Sequence, residues 1–439
     1  MALGLLTVTA CSGAEAGAEG GGTSNAAAEP AEIRLWLNGT DTPQALRDYL
    51  IETFAEENEG STLVIEEQDW NGLVPRLQTA LTSEEQTPDL VEIGNTQSPT
   101  FTYAGAFADI SDMYDELGGD DLLSGFVEAG TADGTFYAAP YYSGARAVFY
   151  RKDFFEAAGV EVPTTLAEFA EVATTLQEAN PGGAANFSGF WFPGQDWYNG
   201  AAWIYTHGGD LAVQEDGEWN GALSSPESLE ALAEVQTLFT DATSAPRDAD
   251  SNEPWIPFNN GESAMFSAPT WARWSIDLPQ CNQGVDPEDQ SEEATAARAE
   301  QQACNEELTG VFPLPGMDEG QPATVFAGGS NIAIPAMSQH QDLARNLLRI
   351  IFSEEFQVML AENGLIPGNS QYGDALGDDV YAQAALAAAV DAKLTPPAEK
   401  WADVEGARIL EDFFQQVASG ADLEEAAAEA DQLIADTLN

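Results

Sequence analysis

The reactive side chains of this 439-residue sequence are two histidines, three cysteines and 74 carboxylates. His207 and His340 fall in separate segments and form no His-rich cluster. With the cysteines disposed as described below, no zinc site is expected, nor any other metal or cofactor. Among 74 carboxylates an acid/base pair for glycoside hydrolysis can be drawn almost anywhere, so such a pair carries no information. Neither a G-x-S-x-G elbow nor a phosphate-binding P-loop is present. What remains is chemistry of binding. Ten tryptophans are spread along the chain, several beside short polar side chains. Trp36 precedes Asn38 and Thr40, Trp70 follows Asp69, Trp191 and Trp197 flank Gln195 and Asp196, and Trp274 stands close to Trp271. An aromatic plate beside amides, hydroxyls and carboxylates holds a ring with apolar faces and a polar rim. Core packing competes for every one of these aromatics, most strongly for Trp36, Trp203 and Trp401.

The elements that must position these residues begin after a distinctive leader. Leu5-Leu6-Thr7-Val8-Thr9-Ala10 ends in a small residue directly before Cys11, the pattern of a bacterial lipoprotein signal, with Cys11 as the lipidated residue. No Lys or Arg precedes the apolar stretch, so residues 1–11 are expected to be the end of a longer signal. Residues 12–30 are small, polar and Gly/Ala-rich, a flexible tether. Cys281 and Cys304 bracket a polar stretch and are expected to pair in an exported protein.

The length exceeds one hydrophobic core and predicts two domains. No run of 18 apolar residues occurs, which gives no membrane-spanning helix in the sequence pattern. The formal net charge of −60 repels nucleic acid and anionic headgroups and disfavours an anionic ligand. A surface so acidic suits high salt, where screening relieves self-repulsion.

Strands are predicted at 32–37, 63–66 and 89–93, alternating with helices at 43–58 and around Leu73, Leu77 and Leu81. This alternation implies a doubly wound α/β layer, with ligands beyond the carboxyl ends of the strands. A second unit starts near Phe136, with a strand at 147–150. Residues 286–302 read as an exposed polar insertion. A strand returns at 330–335, followed by a helix at 343–352. The last 40 residues read as helical, with Ile409, Phe413, Val417, Leu423 and Leu433 as packing positions.

Several segments resemble the family 1 extracellular solute-binding proteins, the maltose- and oligosaccharide-binding receptors of ABC importers. They run in the family's order: Leu35-Trp36-Leu37-Asn38-Gly39; Thr87-Pro88-Asp89-Leu90-Val91-Glu92-Ile93-Gly94; Asp133-Gly134-Thr135-Phe136-Tyr137-Ala138-Ala139-Pro140 with Ala147 to Phe155; Phe258-Asn259-Asn260-Gly261-Glu262-Ser263-Ala264-Met265 on to Trp271; and Gly328-Gly329-Ser330-Asn331-Ile332-Ala333-Ile334. The resemblance covers nearly everything from Glu32 to Leu438. It implies a periplasmic-binding-protein-like (type II) α/β fold, two doubly wound lobes joined by a multi-strand hinge. The first lobe is expected at 31–138 plus 308–352, the second at 139–307 plus 353–439.

The resemblance also implies a receptor that closes on a mono- to oligosaccharide and delivers it to ABC permease subunits. It would be an extracellular, lipid-anchored monomer and not an enzyme. By the same resemblance, Asn38, Thr40, Trp70, Asn95, Thr96 and Gln97 fall near first-lobe contact positions, with Glu92 beside them. Tyr141 and Arg146 follow the crossover, where Arg146 could clamp hydroxyls or a carboxylate or simply partner surface acids. Trp191 and Trp197 lie in a Gly/Pro-rich loop. Trp271 matches the family's stacking tryptophan, Ser330 and Asn331 sit at an expected turn with two glycines, and Trp401 lies where relatives place a last aromatic contact. Where maltose-type relatives carry acidic residues in the first loop and crossover, this chain has Thr40, Ser143 and Gly144, so maltose itself is not implied. Two alternatives keep the fold: a receptor for a polyol or polyamine, and a lipoprotein presenting ligand to a sensor. An exported glycosidase is the distant third.

Overall fold

The computed structural model describes residues 29–439 apart from 71, 251, 286–290, 379, 390 and 391. Cys11 and the leader and tether up to residue 28 lie outside the described residues.

Nine strands make one continuous sheet: β1 (Glu32–Asn38), β2 (Thr62–Gln68), β3 (Leu90–Gly94), β4 (Ala138–Arg151), β5 (Ser188–Trp191), β6 (Ser263–Pro269), β7 (Thr309–Phe312), β8 (Ala327–Ala333) and β9 (Ile366–Pro367). Their order is β2-β1-β3-β8-β4-β6-β5, with β7 and β9 also pairing β4. The amino-terminal strands are parallel, β1 lying between β2 and β3. β1 reads Ile33, Leu35 and Leu37 into one core, against Leu46, Leu50 and Phe54 of helix Gln44–Glu57. That four-residue spacing puts one apolar stripe on the sheet, as the sequence pattern requires.

The fourteen residues of β4 join the two halves of the molecule. Its first half pairs β8, from Ala138 opposite Ala333 to Ala145 opposite Ala327. Its second half changes partners: Arg146 to Tyr150 pair β6, and Val148 to Arg151 pair β7. Hydrophobic packing divides in the same way. One core holds β1, helix Gln341–Ile351 through Leu347, Leu348 and Ile351, and helix Glu354–Glu362 through Phe356 and Leu360. The other gathers Phe169, Phe190, Phe192, Trp203, Phe239, Phe413, Phe414 and Ile434, and takes in Leu314, Ala323, Val325 and Phe326. A smaller cluster around stacked Phe149 and Phe266 lies beside β6. Two α/β lobes thus share one strand.

Three sequence expectations meet a different outcome. Residues 292–308 form a helix, capped by Ser291 accepting from the Ala294 N–H at 3.2 Å. Its apolar pattern is weak because only Ala294 and Asn305 of the helix are buried. Asn305 fastens it by donating to the Ile276 carbonyl at 2.7 Å and accepting from the Leu278 N–H, and Cys304 is bonded to Cys281. Ser330 and Asn331 lie within β8, not at a turn; the two glycines before them serve strand approach. A Cβ on Gly329 would sit 2.3 Å from the Tyr142 carbonyl oxygen, and its φ of +143° suits glycine. In the terminal helix Leu423–Leu438, Ile434 and not Leu433 faces the core. Among the described residues no helix is long and apolar enough to cross a membrane.

Candidate functional site

Parallel β1, β2 and β3 end at a common edge, which collects the loops that follow Asn38, Gln68 and Gly94. Gly39, at φ +52°, turns the chain so that Thr40 and Asp41 project beyond β1. Trp70 comes across from the loop after β2 and donates from Nε1 to Asp41 Oδ2 at 3.0 Å. Its indole lies over both glycines that end the neighbouring strands: a Cβ on Gly39 or on Gly94 would meet the ring at 3.3 Å. The ring remains 37% exposed, an aromatic surface fixed in place.

Beneath it lies a buried carboxylate. Glu92 on β3 has no exposed surface and accepts three hydrogen bonds: from the Asn38 N–H at 2.8 Å, Tyr142 Oη at 2.9 Å and Ser330 Oγ at 2.7 Å. Burial pushes its carboxyl up to about 7; the nearby Asp41 charge adds to this, and the hydrogen bonds offset only part. Burial also raises Asp41, against the opposing hydrogen bonds of Trp70 and Tyr142 and the Arg47 charge. Asp41, Tyr142 and Glu92 thus form a column from the cleft surface into the sheet.

The opposite wall is built on the turn after β6. In the 3₁₀ segment Thr270–Ser275, Trp271 and Trp274 are three residues apart, the spacing at which side chains of this helix superpose. Trp271 is partly buried, edge-on to Trp255 at 6.0 Å between ring centres, and packs against the first core as well as the cluster beside β6. Gly144, next to the partner change of β4, spares Pro269 at the base of this wall: a Cβ there would lie 3.1 Å from the proline side chain and in ordinary contact, 3.8 Å, with the Trp271 indole nitrogen. Trp274 is 52% exposed, with the Arg273 guanidinium 4.3 Å from its ring centre. These indoles face Thr40, Asp41 and Pro43 across a cleft of about 430 Å³, closed below by Asn363 and Leu365.

Further along the seam, Gln97 from the loop after β3 donates from Nε2 to Glu405 Oε2 at 2.6 Å. Glu405 belongs to helix Trp401–Gly406, which is rooted in the other core through Trp401 and Val404. Burial lifts the Glu405 carboxyl to about 7, partly offset by Thr96 and Gln97 and increased by the Glu411 charge. Arg146 donates to the Ser267 carbonyl at 3.1 Å and lies 5.2 Å from the Tyr198 ring centre.

Of the residues singled out from sequence, Thr40, Trp70 and Trp271 stand at the cleft, Glu92 and Ser330 lie just beneath it, and Thr96, Gln97 and Arg146 lie along the seam. The others face elsewhere. Tyr141 is in the first core, its hydroxyl 2.9 Å from Thr42 Oγ1; its neighbour Tyr142, in the same core, reaches Glu92 and Asp41 because the ladder of β4 with β8 is irregular at Tyr141, which leaves Tyr142 opposite Ser330. Asn38, Asn95 and Asn331 are buried and tie backbone: Asn38 to the Glu92 carbonyl, Asn95 to that of Ala327, and Asn331 to those of Phe126 and Ala138. Trp191, at the end of β5, packs on the cluster beside β6. Trp197 is buried against Tyr198 and Phe326, and Trp401 is wholly buried. Asp41, Tyr142 and Glu405 carried no separating signal in a chain with 74 carboxylates and tandem tyrosines. The position of Asp41 three residues past the end of β1 is the trace that could have marked it.

Comparison with known proteins gives this geometry its setting. The model of the family described as bacterial extracellular solute-binding protein matches residues 49–389. The diacetylchitobiose-binding protein of Streptomyces coelicolor is 31% identical over 377 residues, covering 85% of this chain and 81% of the relative. A mannitol-binding protein of Pseudomonas aeruginosa is 26% identical over 338 residues, 76% of this chain and 70% of its own. Among solved structures, the GacH receptor of Streptomyces glaucescens, studied unliganded and with acarbose, superposes with a TM-score of 0.75 at 20% identity, covering 93% of this chain and 98% of that one. A solute-binding protein of Thermotoga lettingae bound with α-D-tagatose gives 0.74 at 20% identity, covering 93% and 100%. The two lobes sharing β4 are the type II periplasmic-binding-protein fold, and the chain belongs to the bacterial extracellular solute-binding protein family.

Proposed function

We propose that this chain is the sugar-binding component of an ABC importer, capturing a mono- to oligosaccharide between its lobes and handing it to permease subunits. The observation that carries the reading is the pair Trp271 and Trp274 facing Thr40 and Asp41 across the cleft. Indole faces take the C–H surfaces of a sugar ring, while Asp41 and Thr40 offer hydrogen bonds to its hydroxyls. Relatives named for diacetylchitobiose, lactose and arabinooligosaccharide support the ligand class. A polyol remains a second reading, favoured by the mannitol-binding relative.

The lobes we assign follow the cores and the partner change within β4: about 31–145 with 327–365, and 146–326 with 366–439. We also assign anchoring on the extracellular face of the cell membrane through Cys11, on the leader sequence, and a monomeric state. No turnover is part of the proposal. Incubating the purified chain with labelled oligosaccharides tests it: stoichiometric retention of intact sugar is expected, and hydrolysis products would overturn it. Trp271→Ala should weaken sugar affinity by at least about tenfold, measured by calorimetry, while leaving the chain folded. The mass of the amino-terminal peptide from cell-derived protein checks lipidation of Cys11.

A further inference from the structure

The seam beyond the cleft holds a group of polar atoms that the fold does not satisfy. Glu405 Oε1, Gln97 Oε1 and Glu411 Oε2 are buried without a hydrogen-bond partner. Trp401 Nε1 also closes no hydrogen bond of normal geometry, although its indole and, more strongly, the Thr96 hydroxyl lie close enough to help hold down the Glu405 carboxyl. Buried acceptors of this kind are rare in folded proteins, because each forfeits its hydration. Their placement is specific. Gln97 arrives from the first lobe and Glu405 from the helix packed on the second core, so their hydrogen bond joins the two lobes along the seam beyond the cleft. The Gln97 amide oxygen would lie 2.2 Å from a Cβ on Gly94, the same glycine that carries the edge of the Trp70 ring. The Gln97 acceptor therefore lies beside Gly94, next to the Trp70 ring that is bonded to Asp41 of the cleft wall.

Taking the sugar-receptor reading as its basis, we propose that Glu405 is a specificity-determining ligand contact: its free carboxylate oxygen, backed by the Gln97 amide oxygen, takes hydroxyl or amide N–H donors of the sugar when the lobes close. Two acceptors side by side select a ring that presents two adjacent donors, a vicinal diol or a hydroxyl beside an acetamido N–H. The cross-lobe hydrogen bond to Gln97 makes the same carboxylate part of the closed state, so ligand recognition and closure share one residue. The nearest charge acting on it is the acid Glu411. Glu411 lies on the following helix with Arg408 at 3.7 Å, and Tyr198 comes from the second lobe with Arg146 beside it.

Glu405→Gln isolates the claim. Its amide oxygen can still accept from Gln97, while the other position becomes an N–H₂ that meets sugar donors with a donor. Calorimetric titration of the wild-type chain and the variant with N,N′-diacetylchitobiose, maltose and mannitol is the experiment, with the thermal midpoint of each ligand-free protein recorded beside it. Whichever compound binds the wild type should bind the variant about 10- to 100-fold more weakly. The ligand-free midpoint should stay or rise, because a costly buried carboxylate is gone. Unchanged affinity in the variant overturns the Glu405 contact and leaves the receptor reading intact, as does weakening accompanied by a lowered midpoint, the mark of a purely structural group. Binding of none of the three by the wild type overturns the contact as proposed, since rings with adjacent donors are among them, while a panel of other saccharides decides the receptor reading.

Discussion

Glu92 shows how one residue ties the fold to the cleft. It accepts from β1 through Asn38, from β4 through Tyr142 and from β8 through Ser330, so one carboxylate joins three strands across the end of the sheet. Burial raises its carboxyl to about 7, above the ordinary 4.5. A group raised in the folded state contributes stability that is fully present below the unfolded value and is lost as pH rises through the folded one. From pH 4.5 to about 7, roughly 3 kcal/mol of stability is therefore lost, because the carboxyl ionises freely in the unfolded chain while the fold keeps it protonated. Glu92→Gln keeps an acceptor for Asn38 and lets both hydroxyls reverse their donation. Its thermal midpoint should fall less between pH 5 and pH 8 than that of the wild type; parallel curves would contradict this. Part of the site was legible in sequence: Thr40, Trp70, Glu92, Trp271 and Ser330 were singled out and stand at the cleft or just beneath it. Nothing in the string separates Tyr142, which reaches Glu92, from Tyr141 beside it, or Asp41 and Glu405 from the other acids. Burial makes those distinctions, and burial belongs to the fold.

At the scale of elements, the working part is β4 with its change of partners between Ala145 and Arg146. A hinge of this kind moves lobes as units because each half of the strand is fixed in its own hydrogen-bond ladder. Gly144 and Gly329 are the small residues that make the joint possible, one against Pro269 and the other against the Tyr142 carbonyl. Gly329→Ala should cost about 2 kcal/mol or more, since its Cβ would overlap backbone and its φ is unfavourable for alanine. A midpoint lowered by about 2 °C or more is the expected readout, and an unchanged midpoint would show that β8 can shift without loss. Regular elements were well marked in the sequence where apolar periodicity is strong, as in β1 and helix Gln44–Glu57. Helix 292–308 was not, because a side-chain amide and a disulfide hold it in place of an apolar stripe.

At the scale of the whole molecule, the net charge of −60 has to be accommodated by a structure with few compensating bases. Most ion pairs among the described residues are at least partly exposed, such as Arg345 with Asp112 and Arg349 with Glu116, and each contributes little. Self-repulsion is the larger effect, and salt screens it: the Debye length shortens from about 10 Å at 0.1 M to about 3 Å at 1 M. The thermal midpoint should rise over that range of sodium chloride; a fall would show that the acids are already neutralised by other means. The two-lobed plan was readable from ordered segments along the chain, since their sequence order mirrors the β1-to-β8 succession. The ligand was not readable, because its selection depends on which polar atoms face the cleft.

The central claim is that indoles and acids facing one another across the cleft bind a sugar. Calorimetric titration of the purified wild-type chain with a panel of mono-, di- and oligosaccharides tests it most directly. Saturable binding of one sugar per chain, with a negative heat-capacity change from burial of the indole faces, is the expected result. No heat of binding and no thermal stabilisation with any saccharide, alongside a response to a polyamine, would contradict it.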